Sequence, residues 1–235
     1  MHMKQSNAFL AVTVLIGFLV LFIYGTTVID IGGKDTAEKD ETNRLTVLEN
    51  PTVDFADPML GPRDAKLTIV EFGNFMCLAC GELNPTLKNI LAKFPGDIRL
   101  VWKDVADDST QMGAGEASMA ARCAWQQGAF WEYHDLLMNN QGRLIATNFT
   151  PLAAEIGLDI EEFETCLSQR ITLPLIERTT EEALRLRLTA VPTLFIGDRR
   201  VEGQLTESQL TALIQIELDK LAQNEAATAE PAAAR

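Results

Sequence analysis

Leu67-Thr68-Ile69-Val70-Glu71-Phe72-Gly73-Asn74-Phe75-Met76-Cys77-Leu78-Ala79-Cys80 joins a short apolar run to two cysteines separated by two residues. The run at 67–72 has the length and the β-branched and aromatic content of a strand. Downstream, residues 82–94 carry Leu83, Leu87, Ile90 and Leu91 at helical spacing and end at Pro95-Gly96. Ile98-Arg99-Leu100-Val101-Trp102 reads as a second strand. Strand, helix and strand in about forty residues form a βαβ unit, which makes the two strands parallel neighbours.

The cysteines fall just after the first strand and open the helix. Two intervening residues bring their sulfurs within disulfide reach across one helical turn. The free N–H groups and dipole of a helix N-terminus favour the thiolate of Cys77. Cys77, on the exposed edge, is then the nucleophile and Cys80 the resolving thiol. Taken alone, a CxxC also fits a structural disulfide or half of a zinc site, and its position between strand and helix is what favours redox chemistry.

Working outward, residues 113–188 form a long helical section, with Ala117, Ala120, Ala121, Ala124, Phe130, Trp131, Leu136 and Leu137 as one apolar set. Further helices are predicted over 152–156, 163–167 and 176–188. Phe130, Trp131 and Tyr133 read as core of this section, and His134 as a capping or surface residue. Thr193-Leu194-Phe195-Ile196, a turn at Gly197-Asp198 and Arg199-Arg200-Val201 resume the sheet. A helix over 206–221 closes the domain, with Thr206 and Gln209 spaced for a capping box. The domain expected is thus 51–222, a sheet interrupted by a helical insertion at about 113–188.

The ends read differently. Residues 8–29 contain no charged side chain, enough apolar length to span a hydrocarbon core of about 30 Å. We expect residues 1–29 to be an uncleaved membrane anchor, with a cleaved signal peptide as the alternative. Lys4 precedes this segment, whereas Lys34, Lys39 and Arg44 follow it, so charge counting does not favour an outward-facing domain. Residues 30–50 read as a solvated linker and 223–235, rich in Ala and Glu, as a disordered tail. The 235 residues carry 33 acidic against 20 basic side chains, a formal net charge of −13, with no basic block. This composition argues against nucleic acid as a partner. Two histidines, His2 and His134, leave almost no material for a His-based metal site or a Ser/His/Asp triad. Four cysteines are compatible with an oxidising compartment.

Four segments carry a resemblance: Gly61-Pro62-Arg63-Asp64-Ala65; Val70-Glu71-Phe72 with Phe75-Met76-Cys77-Leu78-Ala79-Cys80; Ala120-Ala121-Arg122-Cys123-Ala124 with Gln127-Gly128-Ala129-Phe130-Trp131-Glu132; and Ala190-Val191-Pro192-Thr193-Leu194-Phe195-Ile196. Together they resemble the thioredoxin superfamily, and within it the DsbA-like thiol–disulfide oxidoreductases, especially the membrane-anchored BdbD-like branch. The fold implied is α/β: a thioredoxin fold with an inserted α-helical domain, preceded here by one N-terminal transmembrane helix. The resemblance implies disulfide exchange on exported proteins, with no cofactor beyond a redox-active Cys77–Cys80 disulfide and no metal. It also implies a membrane partner of DsbB or VKOR type and a periplasmic or extracytoplasmic domain. It makes Pro192 the cis-proline beside the pair, with Val191 and Pro192 offering backbone to an extended substrate. Glu71 takes the place of the buried acid that handles the proton of Cys80, with Lys103 as its expected charge partner. Cys123 and Cys166 become a structural disulfide clamping the insertion, their plainer reading being two buried small apolar residues.

The sequence also departs from that pattern. Leu78-Ala79 replaces the Pro-His or Pro-Tyr of many members, Asn74 stands where Asp is common, and residues 105–108 lack a proline. Without a histidine between the cysteines the thiolate has fewer stabilising contacts, so a reductase or isomerase reading stays open beside the oxidase. Two further readings are a non-catalytic binding or chaperone module and a metal-delivery protein using the CxxC for soft ions.

Overall fold

The run quoted above becomes the central strand of a five-stranded mixed sheet in the computed structural model, which describes residues 47–109, 111–144 and 148–229. The strands are β1 (Met59–Leu60), β2 (Leu67–Gly73), β3 (Ile98–Asp104), β4 (Thr193–Ile196) and β5 (Arg199–Glu202), arranged side by side as β1-β3-β2-β4-β5. β2 and β3 are parallel, and the other neighbouring pairs are antiparallel. Helix α1 (Leu78–Lys93) crosses from β2 to β3. Between β3 and β4 come α2 (Ala114–Gln126), α3 (Phe130–Asn139), a 3-10 turn (Gln141–Arg143), α4 (Phe149–Glu155), α5 (Ile160–Ser168) and α6 (Leu173–Arg185). Helix α7 (Glu207–Ala229) follows β5. A strand paired on both edges and covered on both faces needs apolar side chains at successive positions, which is how β2 reads.

The two faces follow from the period of two along each strand. Leu67, Ile69, Leu100, Leu194 and Ile196 face α1 and α7, packing on Leu83, Leu87, Ile90, Leu210 and Ile214. Val70, Phe72, Val101 and Phe195 face the other way, onto Ala183 and Leu186. Ala183 belongs to α6 and Leu186 caps it, so α6, which falls within the expected 113–188 insertion, is a layer of the sheet sandwich. Helices α2 to α5 form a separate core of Ala117, Ala120, Ala121, Tyr133, Leu137 and Phe163, which runs on into Phe75, Cys77, Cys80 and Trp102. The insertion and the cysteine turn therefore share one core.

A disulfide joins Cys123 of α2 to Cys166 of α5, with an S–S distance of 2.04 Å and Cα atoms 5.8 Å apart. It closes a sequence separation of 43 residues. Replacing both cysteines by alanine should lower stability by about 2–4 kcal/mol in urea unfolding, because the unfolded chain regains the freedom that the loop removes. Equal midpoints for the two proteins would show that α2 and α5 hold together by packing alone.

Before β1, residues 52–57 are strapped to the domain by charge. Lys103 is fully buried and its Nζ lies 2.9 Å from both Asp57 and Glu182, while Arg178 pairs with Asp54 and Asp57. Arg122 donates from Nε to Asp104 at 2.7 Å and from a terminal nitrogen to the Ala56 carbonyl. A buried cation without such partners would be costly, so these contacts make the strap part of the fold.

At the other end, α7 begins with the capping box: the Thr206 N–H donates to Gln209 Oε1 at 2.9 Å, and the Gln209 N–H to Thr206 Oγ1 at 3.3 Å. The helix runs to Ala229, through part of the stretch expected to be a disordered tail. Ala, Glu, Gln and Leu are strong helix formers, and neither Gly nor Pro interrupts residues 207–229. The expected anchor and most of the linker, residues 1–46, lie outside the described residues. Among the described residues no helix is long and apolar enough to cross a membrane.

Candidate active site

Cys77 is the N-cap of α1, with extended backbone angles (φ −85°, ψ 111°) that turn its side chain back over the first helical turn. Its sulfur accepts the Cys80 N–H at 3.2 Å and lies 3.5 Å from the Val191 carbonyl oxygen. The Val191–Pro192 peptide bond is cis. The fold thus brings Cys77, Cys80, Val191 and Pro192 together across 114 residues of sequence. Both cysteines are free thiols; Cys77 keeps 6% of its surface exposed and Cys80 none. The Cys80 thiol, then the Cys80 and Ala79 N–H groups, hydrogen-bond the Cys77 sulfur, and the thiol falls to about 7 from an ordinary 9.0 against the opposing effects of burial and Glu82. Burial pushes the Cys80 thiol upward, reinforced by its hydrogen bond to Cys77 and by the Glu71 carboxylate. One thiol ready to ionise beside one held protonated has the asymmetry that an attacking and a resolving thiol need.

Glu71 lies beneath this pair in β2, 2% exposed. Burial, and secondarily the charge of Cys77, raises its carboxyl to about 8, and among the described residues no hydrogen bond or cation offsets the loss of water. The expected partner, Lys103, does not reach it. Glu71 is in register with Trp102, and Lys103 with Phe72. Adjacent residues of a strand point to opposite faces, so Lys103 turns away to Asp57 and Glu182. A carboxylic acid that titrates near neutrality beside a thiol can carry a proton to and from it.

Asn74 shapes the turn ahead of Cys77. Its Oδ1 accepts the Met76 N–H at 2.7 Å and its Nδ2 donates to the Val105 carbonyl at 2.9 Å. A carboxylate in its place could make only the first contact. His134, expected at a surface or cap, is instead buried at 1% exposure among the rings of Phe75, Trp102, Phe130 and Trp131. Burial lowers its pKa, so it stays neutral packing material. Helix α3 turns this side chain inward because positions 130, 133, 134 and 137 share one helical face, which here is the covered one. Sequence reading missed Gln141, whose amide donates to the carbonyls of Phe75 and Cys77 at 3.1 and 2.7 Å. No local signal marks it; the nearest clue is Gly81, a glycine inside a helix. Beside Asn74 and Val191 opens a groove of about 680 Å³ walled by Val105, Leu184 and Leu188. Leu184, and Leu78 between the cysteines, are exposed.

Two thiols of unequal acidity at a helix start, facing a cis-proline turn on a β1-β3-β2-β4-β5 sheet, define a thioredoxin-type dithiol centre. The chain belongs to the thioredoxin family: a family model described as Thioredoxin matches residues 54–216. A thioredoxin-like oxidoreductase from Silicibacter pomeroyi is 26% identical, with a TM-score of 0.64 over 71% of this chain and 94% of that one. BdbD from Bacillus subtilis is 22% identical, with a TM-score of 0.67 over 74% and 98% of the two chains. The thiol–disulfide exchange protein alpha-DsbA2 of Wolbachia pipientis is 17% identical, with a TM-score of 0.63 over 69% and 87%. The likeness to the DsbA and BdbD type is one of fold. The Na(+)/H(+) antiporter NhaA 1 of Salinispora arenicola is 34% identical over 158 residues, 67% of this chain and 24% of the antiporter. The chain spans about a quarter of the length of the first curated relatives it matches.

Proposed function

We propose that the protein is a thiol–disulfide oxidoreductase that introduces disulfides into exported polypeptides, held at the outer face of a bacterial membrane by residues 1–29. The observation that carries this reading is Cys77 at the start of α1, its thiol near 7, beside the buried Cys80 and Glu71. In the oxidised protein a substrate thiolate attacks the Cys77 sulfur. The Cys77–Cys80 bond breaks, Cys80 leaves with the electron pair, and Glu71 gives it a proton. A second substrate thiolate then attacks the substrate sulfur of the mixed disulfide, which releases Cys77 as thiolate and leaves the substrate oxidised by two electrons. Those electrons pass on to a quinone-linked membrane partner of DsbB or VKOR type. The Val191 and Pro192 backbone and the apolar groove beside it suit an extended, thiol-bearing polypeptide. The Cys123–Cys166 disulfide supports an oxidising compartment.

A second reading, reductase or isomerase, has an observation of its own. A Cys77 thiol near 7 lies with the weakly oxidising members of the superfamily (about 7 in thioredoxin, about 3.5 in DsbA), and Leu78-Ala79 supplies no cation to lower it further. Measuring the Cys77/Cys80 potential against glutathione, together with oxidation of a reduced model peptide and reduction of insulin, separates the two. The oxidase reading expects a potential toward about −120 mV and rapid peptide oxidation. A value near about −270 mV with insulin reduction replaces it by the reductase. Inactivity in both assays removes the enzyme altogether.

A further inference from the structure

The Cys80 N–H is shared. It lies 3.1 Å from the Cys77 carbonyl oxygen and 3.2 Å from the Cys77 sulfur, so the two acceptors compete for one donor. That carbonyl also accepts the Gly81 N–H at 3.2 Å and Gln141 Nε2 at 2.7 Å, the shortest of the three. A carbonyl oxygen has two lone pairs, so Gln141 and Gly81 compete for them with the Cys80 N–H and weaken its hold on that oxygen in favour of the sulfur. Gln141 comes from the 3-10 turn after α3, 64 residues downstream of Cys77, and also holds the Phe75 carbonyl at 3.1 Å. The helix has made room for it. A Cβ on Gly81 would lie 2.8 Å from Gln141 Cδ and closer still to Oε1. Glycine inside a helix is normally unfavourable, so its place in the first turn of α1 answers to the side chain lying over it.

We propose that Gln141 is a positioning residue for the redox turn: its side-chain amide occupies the Cys77 carbonyl so that the Cys80 N–H stays aimed at the Cys77 sulfur. The helical insertion thereby reaches the chemistry through one amide, and Gly81 is the gap that lets it in. The proposal rests on the thiol-exchange reading of the same site, but its test does not. Thiolate formation can be followed at 240 nm in the full chain, whether or not any substrate turns over.

Gln141→Ala should raise the midpoint of Cys77 ionisation by about 0.5–1 pKa unit, a roughly three- to tenfold smaller thiolate fraction below the midpoint. Gly81→Ala should raise it similarly by expelling the Gln141 side chain. The double variant should be no worse than either single one, since both remove one interaction. Its melting temperature should exceed that of Gln141→Ala, because alanine then enters an emptied space and is the better helix former. A role confined to packing predicts lower melting temperatures with an unmoved Cys77 midpoint, and that result overturns the proposal. So do additive shifts in the double variant. If Gln141→Ala does not fold, the comparison of Gly81→Ala with wild type decides by the same midpoint.

Discussion

Cys77→Ser should reduce disulfide exchange to the uncatalysed background, while Cys80→Ala should keep the attack and lose the escape. The asymmetry follows from the two environments. Cys77 is the thiol lowered to about 7, at a helix start and with some exposure; Cys80 is buried and pushed upward. With Cys80 gone, the mixed disulfide between Cys77 and a substrate has no internal thiol to reverse it, so it accumulates and is visible on a non-reducing gel. Alkylation of the reduced protein gives the pH dependence. Its rate should climb as pH rises through about 7 and level off above, since the thiolate is the reacting form. A midpoint near 9.0, the ordinary value, or trapping by Cys80 in place of Cys77, would contradict these assignments.

Glu71→Gln should stabilise the protein in a manner that grows with pH. The carboxyl of Glu71 ionises near 4.5 in the unfolded chain and at about 8 in the folded one. Between those values the folded state holds a proton that the unfolded state has released, so unfolding becomes easier as pH rises, by up to about 1.4 kcal/mol per pH unit. Below 4.5 the acid is protonated in both states and this term vanishes; above about 8 it is at its largest, several kcal/mol unfavourable. Glutamine keeps the shape and does not ionise. Urea unfolding of the two proteins should therefore differ little at pH 4.5 and by about 3–4 kcal/mol at pH 8. The same substitution should slow exchange, because Cys80 loses its proton partner. A stability difference that stays constant with pH would show that Glu71 is not buried as an acid.

That an apolar strand carries an acid is legible from residue type: one carboxyl among Ile69, Val70 and Phe72 must, once buried, either pair or shift. Which of these it does is not legible from proximity in sequence. Lys103 looks like a neighbour because it is close to Trp102 in the adjacent strand, yet the parallel register puts Trp102 opposite Glu71 and sends Lys103 to the other face. Strand periodicity settles that once the register is known, and the register is a tertiary fact. His134 fails in a similar way. Its helical face is visible in the sequence, but whether that face meets solvent or the rings of Phe75 and Trp102 depends on where α3 docks.

The opening stretch, 67–80, by itself determines the strand, the helix that begins at the cysteines and the placing of Cys77 at its N-cap with Cys80 one turn in. These are matters of period two, period 3.6 and the unpaired N–H groups of a helix start, all decided within a few residues. The same locality makes the Thr206–Gln209 cap readable, and the helix-forming composition carries α7 on to Ala229. Only the tertiary structure decides what surrounds the redox turn: the Val191 carbonyl at the Cys77 sulfur from 114 residues away, the Gln141 side chain from 64, lying over Gly81 with its amide on the Cys77 carbonyl, and the burial of Glu71. The reason is physical. A backbone conformation answers to its nearest neighbours, whereas the hydration, charge and hydrogen bonds that set the acidity of a thiol answer to whatever the fold brings into contact with it.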